Sequence, residues 1–220
     1  MKTLQTFSLS VILFLTCACF AQNQKAGIKA GINLASISFD ENTVFFEDVK
    51  NHTGFQIFGA YEVYSDKLIS VAAESGYILK GFENNLVSTN STGETTGNTV
   101  VKNKLNFIDI SANLKFIYRS DISPYISITP AAGIYLGGSS SSSGINSSDT
   151  LNALFETLLD SLNSFTFGFK FGAGAEFNSF VKNVPITAEI RYDPDLTYIY
   201  DKNSFRLKNK VLEFNLGVKF

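Results

Sequence analysis

Cysteine is nearly missing from this chain: Cys17 and Cys19 are the only two, and both lie ahead of residue 22. Everything after that point therefore lacks disulfides and cysteine-ligated metal. Histidine occurs once, as His52, so no histidine pair exists to hold a metal ion. Tryptophan is absent, and charged residues make up 17% of the chain, below the roughly 25% of ordinary soluble domains. The net charge of −2 provides no basic face for nucleic acid. After residue 21 no stretch of 18 apolar residues occurs, which excludes membrane-spanning helices. A Gly-rich motif able to cradle phosphate is lacking as well, and no linker separates two compositions, so one domain is expected after the leader.

Residues 1 to 21 carry Lys2, the apolar run Val11 to Leu15 and the close Cys19-Phe20-Ala21. That three-part layout reads as a secretory signal, too short to span a bilayer. A lipoprotein signal is the rival, but the residues three before Cys17 and Cys19 are Phe14 and Thr16, not the Leu that lipid attachment prefers. The mature domain is then 22 to 220.

What the chain has in quantity is phenylalanine, 21 residues, and a period of two. Leu212, Phe214, Leu216, Val218 and Phe220 alternate with Glu213, Asn215, Gly217 and Lys219, as strand neighbours on opposite faces do. Phe165, Phe167, Phe169, Phe171, Ala173, Ala175 and Phe177 alternate in the same way with Thr166, Gly168, Lys170, Gly172, Gly174 and Glu176. Extending this reading predicts eight strands, near 25–39, 53–64, 67–81, 104–118, 123–137, 164–177, 184–193 and 209–220. Phe58 falls on the polar face of the second, Ser75 on the apolar face of the third. Pro130 cannot donate a ladder hydrogen bond, so a bulge is expected there.

Short links at Ser65-Asp66, Arg119 to Ile122 and Asn178 to Asn183 interleave with long ones at 40–52, 82–103, 138–163 and 194–208. An even number of strands with short turns at one end and long loops at the other is the pattern of an outer-membrane barrel with periplasmic termini. Volume decides which face meets lipid. The interior of an eight-stranded barrel is just wide enough for side chains to fill, and some forty apolar residues exceed it. The apolar face must look outward, and the face of Gly, Ser, Thr, Ala and single charges suits a narrow lumen. Phe39, Tyr64, Tyr118, Tyr125, Phe177 and Tyr192, near strand ends, are candidates for the interfacial aromatic girdles.

Four segments carry a family resemblance: Ala26-Gly27-Ile28-Lys29-Ala30-Gly31-Ile32-Asn33-Leu34, Thr53-Gly54-Phe55-Gln56, Phe171-Gly172-Ala173-Gly174-Ala175-Glu176-Phe177 and Leu216-Gly217-Val218-Lys219-Phe220. In these the mature chain resembles the PorT-type outer-membrane β-barrel proteins of Bacteroidetes. The resemblance implies a non-enzymatic barrel in the outer membrane of a Gram-negative bacterium. One namesake is implicated in protein secretion. The alternating end at Phe214, Leu216, Val218 and Phe220 also resembles the C-terminal signal by which the barrel-assembly machinery recognises its clients.

The inward face is expected to carry Lys29, Lys80, Lys115, Lys170, Arg191 and Lys219 against Glu62, Glu74, Asp109, Glu176, Glu189 and Glu213. Six charges of each sign read as a structural salt-bridged plug, since an unpaired charge in so narrow a lumen costs several kcal/mol; a gated ion path is the alternative. His52, placed in the first long link near Asp48, is the one candidate for loop-borne catalysis, and a lone loop histidine reads as inert. Asp40, Glu41, Glu47 and Asp48, with Asp193 and Asp195 in the fourth link, lack the ordered spacing of a calcium loop and read as solvated acidity. No cofactor or metal is expected. In the third link Leu151, Leu154, Phe155, Leu158, Leu159 and Leu162 recur at helical spacing, with Ser148 or Asp149 placed to cap. This predicts a short external helix, either a lid on the barrel mouth or a docking face for a protein partner or the outer leaflet.

The fold expected is therefore all-β, an eight-stranded antiparallel up-and-down transmembrane barrel with one short helix in the third external loop. The function expected is presentation of external loops for interaction, or support of an envelope complex, with outer-membrane lipid, the assembly machinery and an envelope or extracellular protein as partners. A small channel and a soluble lipocalin-like binding barrel are the alternatives.

Overall fold

The computed structural model describes residues 26–39, 49–89, 95–144, 149–181, 184–202 and 205–220. The signal segment, Asp40, Glu41, Glu47, Asp48 and Ser148 lie outside them. The strands are β1 (Ala26–Phe39), β2 (Val49–Ser65), β3 (Ile69–Thr89), β4 (Thr95–Ile117), β5 (Ile122–Gly144), β6 (Phe165–Val181), β7 (Val184–Pro194), β8 (Tyr200–Lys202) and β9 (Phe205–Lys219), with a helix α1 (Asp149–Asp160) between β5 and β6. Each pairs antiparallel with its neighbour, and β9 returns to β1, so eight strands close a ring. The three-residue β8 lies on β9 alone. Closure is completed at the last residue: Phe220 N–H donates to the Ala26 carbonyl at 2.8 Å and Ala26 N–H to the Phe220 carbonyl at 3.1 Å. No backbone edge is then left to face hydrocarbon, which is what permits a sheet to cross a bilayer.

The outer surface carries Ile28, Ile32, Phe55, Ile57, Ile110, Phe116, Ile126, Ile128, Phe169, Phe171, Ile190, Phe214 and Leu216, all exposed, while Lys29, Glu62, Lys115, Lys170, Glu176, Glu189 and Glu213 of the same strands are buried. This inversion of a soluble protein is the lipid-facing belt of a membrane barrel. Tyr64, Tyr118 and Tyr192 are exposed near strand ends. Tyr125 is not a girdle residue: it turns into the lumen, with Lys115 Nζ 4.4 Å from its ring centroid. The close approach of strands explains Gly54, where an added Cβ would lie 1.9 Å from the Leu79 carbonyl oxygen.

Several strands outrun their expected ends. The 11 residues of β7 match the roughly 9 to 11 needed to cross a bilayer at a tilt, but β3, β4 and β5 have 21, 23 and 23. Most of the expected link 82–103 is thus a continuing hairpin, Asn84 opposite Val101 and Val87 opposite Asn98. The serine run Ser139 to Ser143 is strand too, paired with Val100 to Lys104. These segments lack a lipid-facing apolar row because they stand beyond the belt, in water, where the ladder alone sets their course. Pro130 sits in unbroken register between Ser111↔Ala131 and Leu114↔Ile128; the irregularity falls instead between Asn106 and Phe107, opposite Leu136 and Gly137, whose φ of 123° suits glycine.

Candidate functional site

Among the described residues the buried charges concentrate in the lumen, and parity puts them there. Inward residues alternate on every strand, so Lys29 of β1, Glu62 of β2, Glu74 and Lys80 of β3, Asp109 and Lys115 of β4, Lys170 and Glu176 of β6, Glu189 and Arg191 of β7 and Glu213 of β9 are all buried. Lys219 joins them at the periplasmic mouth. The structure brings eleven of the twelve residues into three tiers, and Lys80 joins the third through Asp193.

In the lowest, Lys219 Nζ lies 2.6 Å from Glu176 and 3.0 Å from Glu62, and Lys115 lies 3.1 Å from Glu176. The middle tier centres on Glu74, held by both terminal nitrogens of Arg191 at 2.7 and 3.1 Å and by Lys29 at 2.5 Å. Glu189 stands 2.9 Å from Arg191 and 3.4 Å from Lys29, and Asn113 donates to Glu74 at 2.9 Å. In the third, Lys170 lies between Asp109 at 2.8 Å and Glu213 at 2.7 Å. Between the lower tiers Lys29, Glu62, Glu74, Lys115 and Lys219 enclose a cavity of about 20 Å³, space for roughly one water.

Sequence reasoning missed two members. Asp193 is not in a link: it is buried in β7, 3.2 Å from Lys80 and 3.5 Å from Lys170. Asp195 is buried one residue past that strand, 3.7 Å from Lys80, and accepts a hydrogen bond from Asn209 at 2.9 Å. Both continue the odd-numbered parity of Glu189 and Arg191, a signal that an alternation stopped at Asp193 does not carry. His52 is likewise not a loop residue. It lies in β2, buried, with Nδ1 3.5 Å from Glu83, which also meets Lys102 at 3.3 Å. The absence of an apolar row before Thr53 hid that extension of β2.

Above the third tier the lumen turns apolar. Phe58 and Phe107 lie against Lys170 and Lys80, with centroids 5.5 and 5.1 Å from the ammonium nitrogens. Ala35, Ile37, Ile78, Phe82, Leu105, Leu207 and Val211 pack with them. Phe155 of α1 is buried, and Leu159 with Leu162 just past the helix end belongs to this cluster; Leu158 is half-buried. Leu151 and Leu154 have side chains outside the described set. The helix thus packs against β5 and β4 with Phe155 and Leu159 on its buried side. At the other end of β9, Phe214, Leu216 and Phe220 are exposed on the lipid face, as is Val218.

Solved structures overlap this chain with low sequence identity. Ail, the attachment invasion locus protein of Yersinia pestis, is 13% identical, with 89% of this chain and 98% of that one covered and a TM-score of 0.42. Neisserial surface protein A is 18% identical over 88% and 95%, TM-score 0.43, and OprG of Pseudomonas aeruginosa 10% identical over 89% and 95%, TM-score 0.44. No curated protein sequence matches. Residues 7–220 match the family model described as outer membrane protein beta-barrel domain, and this chain belongs to that family, a barrel of the Gram-negative outer membrane.

Proposed function

We propose that this chain is a non-enzymatic, non-conducting barrel of the PorT type, which holds an external crown of long strands and a helix rigidly above the membrane for interaction or for support of an envelope complex. The observation that supports this reading is the filled lumen: Arg191, Lys170 and Lys80 are 1% exposed, and the rings of Phe58 and Phe107 lie against Lys170 and Lys80. A barrel built to conduct would keep those positions small or solvated. The non-enzymatic reading rests on the sequence, with one histidine and no cysteine after residue 21. Its partners are lipid around the belt, the assembly machinery at Phe214, Leu216, Val218 and Phe220, and an envelope or extracellular protein on the crown; nucleic acid is not among them.

Photo-crosslinking in intact cells tests this. A crosslinker in place of Glu156, on the exposed side of α1, or of Ser141, on the outer face of β5, is expected to yield a discrete protein adduct. The same group at Leu216 is expected to yield lipid alone. Lipid adducts at all three positions would contradict the proposal.

A further inference from the structure

Going beyond that role, we infer that the outward face shared by β1 and β9, at the external edge of the apolar belt, binds the phosphate groups of the outer leaflet's phosphorylated glycolipid. Along β9 the outward residues run Phe220, Val218, Leu216, Phe214 and Leu212 and then change at once to Lys210, Lys208 and Arg206. Nine residues from Leu212 to Phe220 are about what a tilted strand needs to cross the hydrocarbon, so Lys210 stands at its external boundary and Lys208 and Arg206 in the headgroup layer. The cross-strand neighbours of Lys210 and Lys208 are Ser36 and Ser38 of β1, whose hydroxyls share the outward parity of Ile28 and Ile32. Two ammonium groups and two hydroxyls then face one strip of the leaflet.

Arg206 is paired with Asp201 at 3.1 Å, but Lys208 and Lys210 have no ion pair among the described residues. Lys208 is steadied by the Tyr198 ring, its Nζ 4.4 Å from the centroid. The periplasmic rim differs: there Asp66 and Asp121 lie among Lys67 and Arg119, charges of both signs. Two outward lysines on the external side of the belt, without an ion pair among the described residues, suit phosphate on the leaflet at that side, reached by lysine stems lying along the apolar surface.

The test uses the full chain and its Lys208→Gln/Lys210→Gln variant in phosphatidylcholine nanodiscs, titrated with a bisphosphorylated glucosamine glycolipid, with its dephosphorylated counterpart, and with inorganic phosphate as competitor. The unmutated protein is expected to bind the phosphorylated lipid at least tenfold more tightly than the variant, with each single substitution giving about a fivefold loss. The dephosphorylated lipid is expected to bind both equally, and free phosphate at the lipid's own concentration to displace nothing. Both lysines are outward and away from the lumen, so the variants should fold; the single substitutions serve if the double one does not. Equal affinity of variant and unmutated protein for the phosphorylated lipid, equal affinity for the two lipids, or displacement by free phosphate would each overturn the assignment.

Discussion

Lys170 shows what a charge requires in this molecule. It is 1% exposed, so its ammonium depends on Asp109 at 2.8 Å, Glu213 at 2.7 Å and Asp193 at 3.5 Å rather than on water. Taking two ions out of water costs several kcal/mol each, and breaking such a group by removing one member costs about 3 to 5 kcal/mol because the remaining charges stay buried. Lys170→Met is therefore expected to destabilise the folded barrel by that amount in urea unfolding from detergent. Lys102, paired with Glu83 at 3.3 Å but with a side chain 47% exposed, is the comparison, since an exposed pair is worth about 0 to 1 kcal/mol. Losses of equal size for Lys170→Met and Lys102→Met would show that the third tier is solvated and not a plug.

Strand β9 joins assembly, lipid contact and lumen in one element. Its even-numbered residues meet lipid, its odd-numbered ones the lumen, and its last backbone group pairs with Ala26. Leu216, 66% exposed, is near mid-membrane, where a lysine costs about 2 to 4 kcal/mol, falling to about 0 to 1 near the interface. Leu216→Lys is expected to reduce unfolding free energy in lipid vesicles by the larger figure and Leu212→Lys by the smaller, while loss of Phe220 slows assembly. Asn215 is no neutral comparison, because Gln56 Nε2 donates to its Oδ1 at 2.7 Å and a lysine there meets a full lumen. If Leu212→Lys proves as costly as Leu216→Lys, the belt sits higher on the strand than drawn. Elements like β9 were legible because lipid on one side and a packed lumen on the other impose opposite chemistry on alternate residues. The outer ends of β2 to β5 were not. With water outside, Ser139 to Ser143 or Asn84-Asn85 carry no such contrast, and only pairing with neighbours reveals them as strand.

At the scale of the whole molecule, the ring was legible from connection lengths and residue volumes: short and long links in alternation, and more apolar bulk than an eight-stranded interior holds. The charge tiers followed from parity wherever a strand end was placed correctly, and Asp193 and Asp195 escaped where it was not. The apolar cap was hidden for a different reason. Ile37, Phe82, Leu105 and Leu207 lie on the inward parity beyond the charged tiers, and a sequence does not mark where along a strand the lumen changes from polar to apolar. Together the tiers and the cap make the central claim, that the barrel is closed from end to end. Conductance across planar bilayers measures that directly: the reconstituted full-length barrel is expected to give no unitary current steps at any holding potential that the bilayer withstands, and reproducible steps from the unmutated protein would contradict the account.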